Sequence, residues 1–250
     1  MKIMAIIPAR YASTRFPGKP LAIIGGKPMV QRVYEQALQC RQLTAVVVAT
    51  DDERIRQAVL AFGGEVVMTR DDHPSGTDRI AEVAAQFPEV DIVVNIQGDE
   101  PFVQVDQLDQ LCAFFADPSV AIATLAHPLV TAASIADPNI VKAVFSGTGR
   151  ALYFSRSPVP YLRGVPVAEW AGQEQHFQHL GLYAYRRDVL LAITQLPPSP
   201  LERAESLEQL RWLEAGYPIY IGVTPTKSLG IDTPEDLQQA EAWWNAQQAI

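Results

Sequence analysis

The chain has 250 residues and a mass of 27.5 kDa, enough for one large domain or two small ones. Its 20 Lys and Arg stand against 28 Asp and Glu, a net charge of −8 with a pI near 5.0, which argues against broad electrostatic binding to nucleic acid or anionic membrane. Nothing approaches the ~18 consecutive apolar residues of a membrane span, and the opening apolar run leads into Arg10 rather than a signal-peptide cleavage site. A cytoplasmic enzyme or binding protein is the expectation. Cys40 and Cys112 both lie in apolar helical patterns and read as buried free thiols.

The apolar run Ile3 to Ile7 has the length of one buried strand. Pro8 and Ala9 end it, and the loop that follows carries Arg10, Arg15 and Lys19 among small residues such as Ala12, Ser13 and Gly18. Small residues let the backbone approach a ligand and offer its N–H groups. The first acidic residue is Glu35, so residues 1–34 hold six cations and no carboxylate, while residues 35–250 carry 14 cations against 28 acids. An acidic chain that clears carboxylates from one glycine-containing loop has the makings of a local anion site there.

Residues 28–40 follow the 3.6-residue period of an amphipathic helix, and Ala45–Ala49 is a β-branched strand. A helix opens at Asp51-Asp52-Glu53, where acids suit the dipole, and stops at Gly63-Gly64. Glu65–Thr69 and Ile92–Ile96 read as strands with a helix at Thr77–Phe87 between them. Strands alternating with helices predict βαβ units and a mostly parallel sheet covered on both faces. From about residue 120 the texture turns to strands, at Val120–Leu125, Ile140–Phe145, Leu152–Phe154 and Leu180–Tyr185, so 120–185 is expected to form an antiparallel insert within a single 1–250 domain. Residues 157–176, rich in Pro and Gly, read as a long irregular connection. Ser199-Pro200-Leu201-Glu202 is a capping box that predicts a helix to Ala215; Ile219–Val223 is a last strand, and Thr233-Pro234-Glu235-Asp236 opens a final helix.

A Walker loop requires G-x-x-x-x-G-K-[ST], but Gly18-Lys19 and Gly26-Lys27 are each followed by proline, and no G-x-G-x-x-G is present. Three cations on the first loop suit a triphosphate gripped by side chains. A triphosphate calls for a divalent metal, and two aspartates stand just past predicted strands: Asp99 in Asn95-Ile96-Gln97-Gly98-Asp99-Glu100-Pro101, and Asp232 in Gly230-Ile231-Asp232-Thr233-Pro234. Gly-Asp is also ordinary turn chemistry, and Asp232 also suits a helix N-terminus.

PARYASTRFPGKPL (8–21), SGTDR (75–79), NIQGDEP (95–101), ALYFSR (151–156), HLGLYAY (179–185), LEQLR (207–211) and GIDTPEDL (230–237) closely resemble, in order, the 3-deoxy-D-manno-octulosonate cytidylyltransferases. The resemblance implies a Rossmann-like nucleotidyltransferase fold and a magnesium-dependent transfer of CMP from CTP to the anomeric hydroxyl of 3-deoxy-D-manno-octulosonate (KDO). Pyrophosphate leaves, and the product serves lipopolysaccharide biosynthesis. It also implies a cytoplasmic homodimer. By position it assigns Ala9, Arg10, Ser13, Arg15, Lys19, Ser75, Gly76 and Arg79 to the nucleotide, with Arg10 and Lys19 on the triphosphate. Asp99 and Asp232 fall to the metal, and Gln97, Arg156, His179, Tyr183, Glu208 and Gln209 surround the sugar. The rival functions are a cytidylyltransferase for sialic acid or 8-amino-KDO, and a non-catalytic nucleotide-sugar sensor. The metal-candidate aspartates and triphosphate cations speak against the sensor.

Overall fold

The computed structural model describes residues 1–12, 16–226, 230–231 and 233–248. Backbone contacts divide the chain into two compact units, residues 1–112 with 228–250 and residues 113–227.

The first unit is built on strand β1 (Ile3–Pro8), whose residues 3–7 are all buried. Next comes a two-strand hairpin, β2 (Ile23–Ile24) and β3 (Lys27–Pro28), turning on Gly25 and Gly26, both at positive φ. That conformation is the one a two-residue hairpin loop demands and glycine supplies. Helix α1 (Met29–Ala37) leads to β4 (Ala45–Thr50), α2 (Glu53–Ala61), β5 (Val66–Met68), α3 (Gly76–Ala85), β6 (Ile92–Asn95) and α4 (Val105–Ala113). β1 pairs in parallel with β4 on one side and β6 on the other, Ile6 lying opposite Val47 and Asn95, and β5 extends the sheet beyond β4. The α/β class with a mostly parallel sheet is therefore present as expected. Asp52 caps α2 by accepting from Arg54 N, and Ser75 caps α3 by accepting from Asp78 N. Cys40 and Cys112 are buried free thiols, and burial pushes the Cys112 thiol up to about 12.

The C-terminal helix, Pro234–Gln248, belongs to this unit. Its capping box is reciprocal: Asp236 N donates to Thr233 Oγ1 and Thr233 N donates to Asp236 Oδ2. One apolar cluster joins Ile24 and Met29, Phe102, Ile231 and Ala240, with Phe16, Leu237 and Trp244 against it. Arg32 donates from Nε to Ile24 O (3.0 Å) and from Nη2 to Gly25 O (2.6 Å), while its guanidinium lies 3.7 Å over the Trp244 ring. A Cβ on Gly25 would meet that ring at 2.1 Å, so the hairpin turn is shaped to the indole as well as to its own φ angles.

The second unit carries β7 (Ile122–Leu129), α5 (Ala132–Ala136), β8 (Lys142–Phe145), β9 (Ala151–Ser155), β10 (His176–Arg186), α6 (Arg187–Ile193), α7 (Pro200–Glu205), α8 (Gln209–Glu214) and β11 (Ile219–Val223). β10 runs antiparallel to β7, β8 pairs antiparallel with β9 and β10, and β11 joins β7 in parallel. The connection at 157–176 is irregular, with one 3-10 turn at Val167–Glu169. It is organised by Trp170, which is buried with Leu129 and Ile135 and donates from Nε1 to Val165 O. The single helix expected from Ser199 to Ala215 is instead two. Its capping box is there, but Ser206 takes φ 53° and ψ 49°, and the chain turns before α8 begins. A serine in that left-handed region breaks the i to i−4 ladder, which periodicity alone does not reveal.

Replacing Trp244 with alanine should remove the surface on which Arg32 and Gly25 rest and destabilise the first unit by about 1–3 kcal/mol, read as a lowered urea midpoint at unchanged slope.

Candidate active site

The first unit has a cleft of about 200 Å³ at the carboxyl ends of β1 and β6. Ala9, Arg10, Lys19, Ser75, Gly76, Arg79, Gln97 and Asp99, all singled out from sequence, line it together with Pro8, Pro20, His73 and Gly98. Ser13, Arg15 and Asp232 lie outside the described residues. Gly18 N donates to Tyr11 O at 2.9 Å. Strand ends, glycine and a helix N-terminus thus converge, as they do at ligand sites of open parallel sheets.

Lys19 Nζ and Asp99 Oδ2 meet at 2.6 Å. Lys19 sits on a 3-10 turn, Lys19–Leu21, and Asp99 follows β6, so the pair joins the two loops across the cleft. Ile231 N donates to Asp99 O at 2.9 Å, which seats the 230–231 segment directly beside this aspartate. Asp99 offers the hard carboxylate oxygen that magnesium prefers. No cluster of three His, Cys, Asp or Glu occurs among the described residues, so an ion here needs oxygen donors beyond the side chains described, such as phosphate and water.

Gly98 has no space for a side chain, because a Cβ would stand 2.7 Å from Pro8 O. The β6 loop therefore lies against the end of β1. Arg79 is 3% exposed, with Nη2 3.2 Å from Asp51 Oδ2 and Nη1 donating to Thr69 Oγ1 and Arg70 O. Its guanidinium braces the start of α3 beneath the cleft. His73 was not picked out from the sequence; it stands two residues before Ser75, outside the SGTDR motif. It is buried at the cleft wall in close contact with Glu82 through Nε2. Burial pushes the Glu82 carboxyl up, but its bonds to His73 and Arg70 N outweigh this and leave it lowered.

The other five sugar candidates belong to the second unit and gather about residues 205–209. β10 is bulged between Leu180 and Tyr183: His179 pairs with Ala126 and Leu180 with Leu125, but Tyr183 pairs with Thr124. Four residues of regular strand span ~13 Å, yet the rings of His179 and Tyr183 are 5.2 Å apart. The bulge has done this, and Thr124 sustains it, its Oγ1 lying 2.8 Å from Leu182 O, 3.2 Å from Leu180 O and 3.1 Å from His179 Nε2. A threonine has one proton. Given to Leu182 O, it requires His179 Nε2–H to donate to Thr124 and leaves Nδ1 as an acceptor. Burial pushes the His179 imidazole down to about 3, so the ring is neutral at physiological pH. Burial and the nearby Glu208 charge raise the Tyr183 phenol well above its usual range, and its ring meets Trp212 edge-on at 5.3 Å.

Glu208 precedes α8 and accepts from Arg211 Nη2 at 3.1 Å, and Gln209 begins the helix, buried. Arg156, just past β9, donates from Nε to Glu205 O (2.7 Å), from Nη1 to Pro138 O (3.1 Å) and from Nη2 to Ser206 O (3.4 Å). Three of its five N–H groups are spent on carbonyls, which orient the guanidinium without neutralising it.

A parallel α/β sheet with a cation-and-carboxylate cleft at its strand ends suits an anionic ligand such as a nucleotide, and the matches to known proteins give the class, a nucleotidyltransferase. The family described as Cytidylyltransferase matches residues 4–221. The chain is 54% identical over 248 residues to a 3-deoxy-manno-octulosonate cytidylyltransferase of Parabacteroides distasonis, covering 97% of this chain and 98% of that one. It is also 54% identical over 247 residues to the protein of that name from Phocaeicola vulgatus, with 97% of each chain covered. A solved structure of CMP:2-keto-3-deoxy-manno-octonic acid synthetase complexed with CTP superposes with a TM-score of 0.92 at 48% identity, over 99% of this chain and 100% of that one. The chain belongs to the 3-deoxy-manno-octulosonate cytidylyltransferase family.

Two substitutions test the geometry. Thr124→Val keeps the shape but strips the bulge carbonyls of their donor, and should cost about 1–3 kcal/mol of stability in chemical denaturation. Gly98→Ala should force the β6 loop off Pro8 and raise KM for the nucleotide about tenfold or more, a loss of about 1.4 kcal/mol in binding.

Proposed function

We propose that the chain transfers CMP from CTP to the anomeric hydroxyl of KDO, releasing pyrophosphate and giving the activated sugar for lipopolysaccharide assembly. The observation that carries this is the cleft in which Lys19 faces Asp99 at 2.6 Å beside the N-terminus of α3. An anion entering there meets a mobile ammonium and a helix dipole end of the right sign. Lys19 exchanges Asp99 for phosphate oxygen when the triphosphate binds, and its charge then opposes the charge that builds on the leaving pyrophosphate. Arg10, exposed on the cleft wall, adds a second cation for the triphosphate.

Asp99, freed from Lys19, is the residue to hold magnesium, with Asp232 as its companion by sequence. When bound, magnesium supplies charge neutralisation on phosphate and sugar oxygens. Arg156 suits the sugar's carboxylate, since two of its N–H groups remain after the three carbonyls are served. Neutral His179 presents an acceptor nitrogen to a sugar hydroxyl, and Tyr183, held protonated, can donate. A homodimer in the cytoplasm is the assembly and location that the family resemblance implies.

The test is pyrophosphate release with KDO and each of the four nucleoside triphosphates. CTP alone should support turnover, and chelation of divalent cations should abolish it. Asp99→Asn should lower kcat by about 100-fold or more. Full turnover by Asp99→Asn would remove that aspartate from the metal site.

A further inference from the structure

Glu205 has no part in the function so far, yet it touches Arg156 twice. Its carboxylate accepts from Arg156 N (Oε2, 2.9 Å) and from Ser155 Oγ (Oε1, 2.7 Å), and its own carbonyl accepts from Arg156 Nε at 2.7 Å. The next residue, Ser206, is the one non-glycine residue at positive φ among the described residues, and its carbonyl faces Arg156 Nη2. Such a conformation persists only where the surroundings over-determine it. From Ser206 the chain runs directly into Glu208 and Gln209.

A second cation stands on the same framework. Lys142 is fully buried and donates to Asp137 O (2.8 Å) and Ile140 O (2.6 Å), either side of the Pro138 carbonyl that holds Arg156 Nη1. Burial pushes the Lys142 ammonium down while Asp137 and Glu205 push it back up. Glu205 is thus the carboxylate that bonds the Arg156 segment and also supplies counter-charge to the lysine that shares its turn.

We propose that Glu205 is a positioning residue for sugar recognition, fixing Arg156 and the 206–209 turn in the arrangement that receives the acidic sugar. This rests on the assignment of Arg156 to the sugar carboxylate. The charge is required as well as the shape. An amide at 205 has one acceptor oxygen: an NH2 set against Arg156 N opposes donor to donor, while an NH2 set against Ser155 Oγ reverses that bond, displaces the serine proton and removes the charge.

The experiment measures KM for KDO, KM for CTP, kcat and Tm on the full-length enzyme and on Glu205→Gln, Glu205→Asp, Ser155→Ala and Arg156→Ala. Glu205→Gln should raise KM for KDO about tenfold or more and leave KM for CTP within about twofold. Glu205→Asp should recover part of the loss, and Ser155→Ala should show a smaller shift in the same sense. Wild-type KM for KDO in Glu205→Gln, or a fall in Tm with both KM values unmoved, overturns the proposal. If Glu205→Gln does not fold, Ser155→Ala decides by the same criterion. Arg156→Ala separates the two levels: an unchanged KM for KDO there refutes the sugar assignment itself. A raised one beside a normal Glu205→Gln refutes only the positioning role.

Discussion

Lys19 and Asp99 are 80 residues apart in sequence, and their ion pair spans the cleft at 2.6 Å. For that contact to form, the loop after β1 and the loop after β6 must both leave the sheet at its carboxyl end and approach each other. Parallel pairing of the two strands ensures the first condition, and the absence of a side chain at Gly98 permits the second. The pair also sets the charge of the resting site. The lysine proposed for phosphate and the aspartate proposed for the metal hold each other here, so neither charge is left uncompensated in a partly buried place. On the proposed roles, binding is an exchange of partners and not the filling of a raw cationic hole.

On the proposed assignments, the two units would recognise their ligands by different means. The first uses backbone approach, glycine, a helix end and mobile charge, which suits a flexible and highly charged triphosphate. The second uses a bulged strand lined with aromatic rings, with polar atoms fixed by carbonyl bonds. His179 and Tyr183 have their proton inventory settled by burial before any ligand arrives, and Arg156 is oriented by three carbonyls. A preorganised donor and acceptor pattern favours discrimination among sugars that differ by a hydroxyl or an amine.

Much of the first unit was legible because it obeys local rules. The buried runs at 3–7 and 92–96, the acids at the start of α2 and the cation-rich loop without carboxylates all carry their meaning within a few residues. What escaped depends on contacts distant in sequence. The β10 bulge exists because Thr124, more than fifty residues earlier, satisfies carbonyls that a regular ladder would have paired. The break at Ser206 is held by Arg156 and Glu205, and neither periodicity nor the correct capping box at Ser199 announces it. The hairpin at 23–28 escaped because its strands are only two residues long. His73 gave no sign of its own, since a lone histidine in a polar stretch is ordinary until Glu82 is seen against it.

The apolar cluster of Ile24, Met29, Phe102, Ile231 and Ala240 draws on both ends of the chain. During synthesis the hairpin and the Phe102 segment emerge long before residues 231–244 exist, so their shared interior stays open to water until those residues have been made. The first unit is therefore begun early and closed late, and a nascent chain stalled short of the Pro234–Gln248 helix would carry the cleft residues without the packing that supports them.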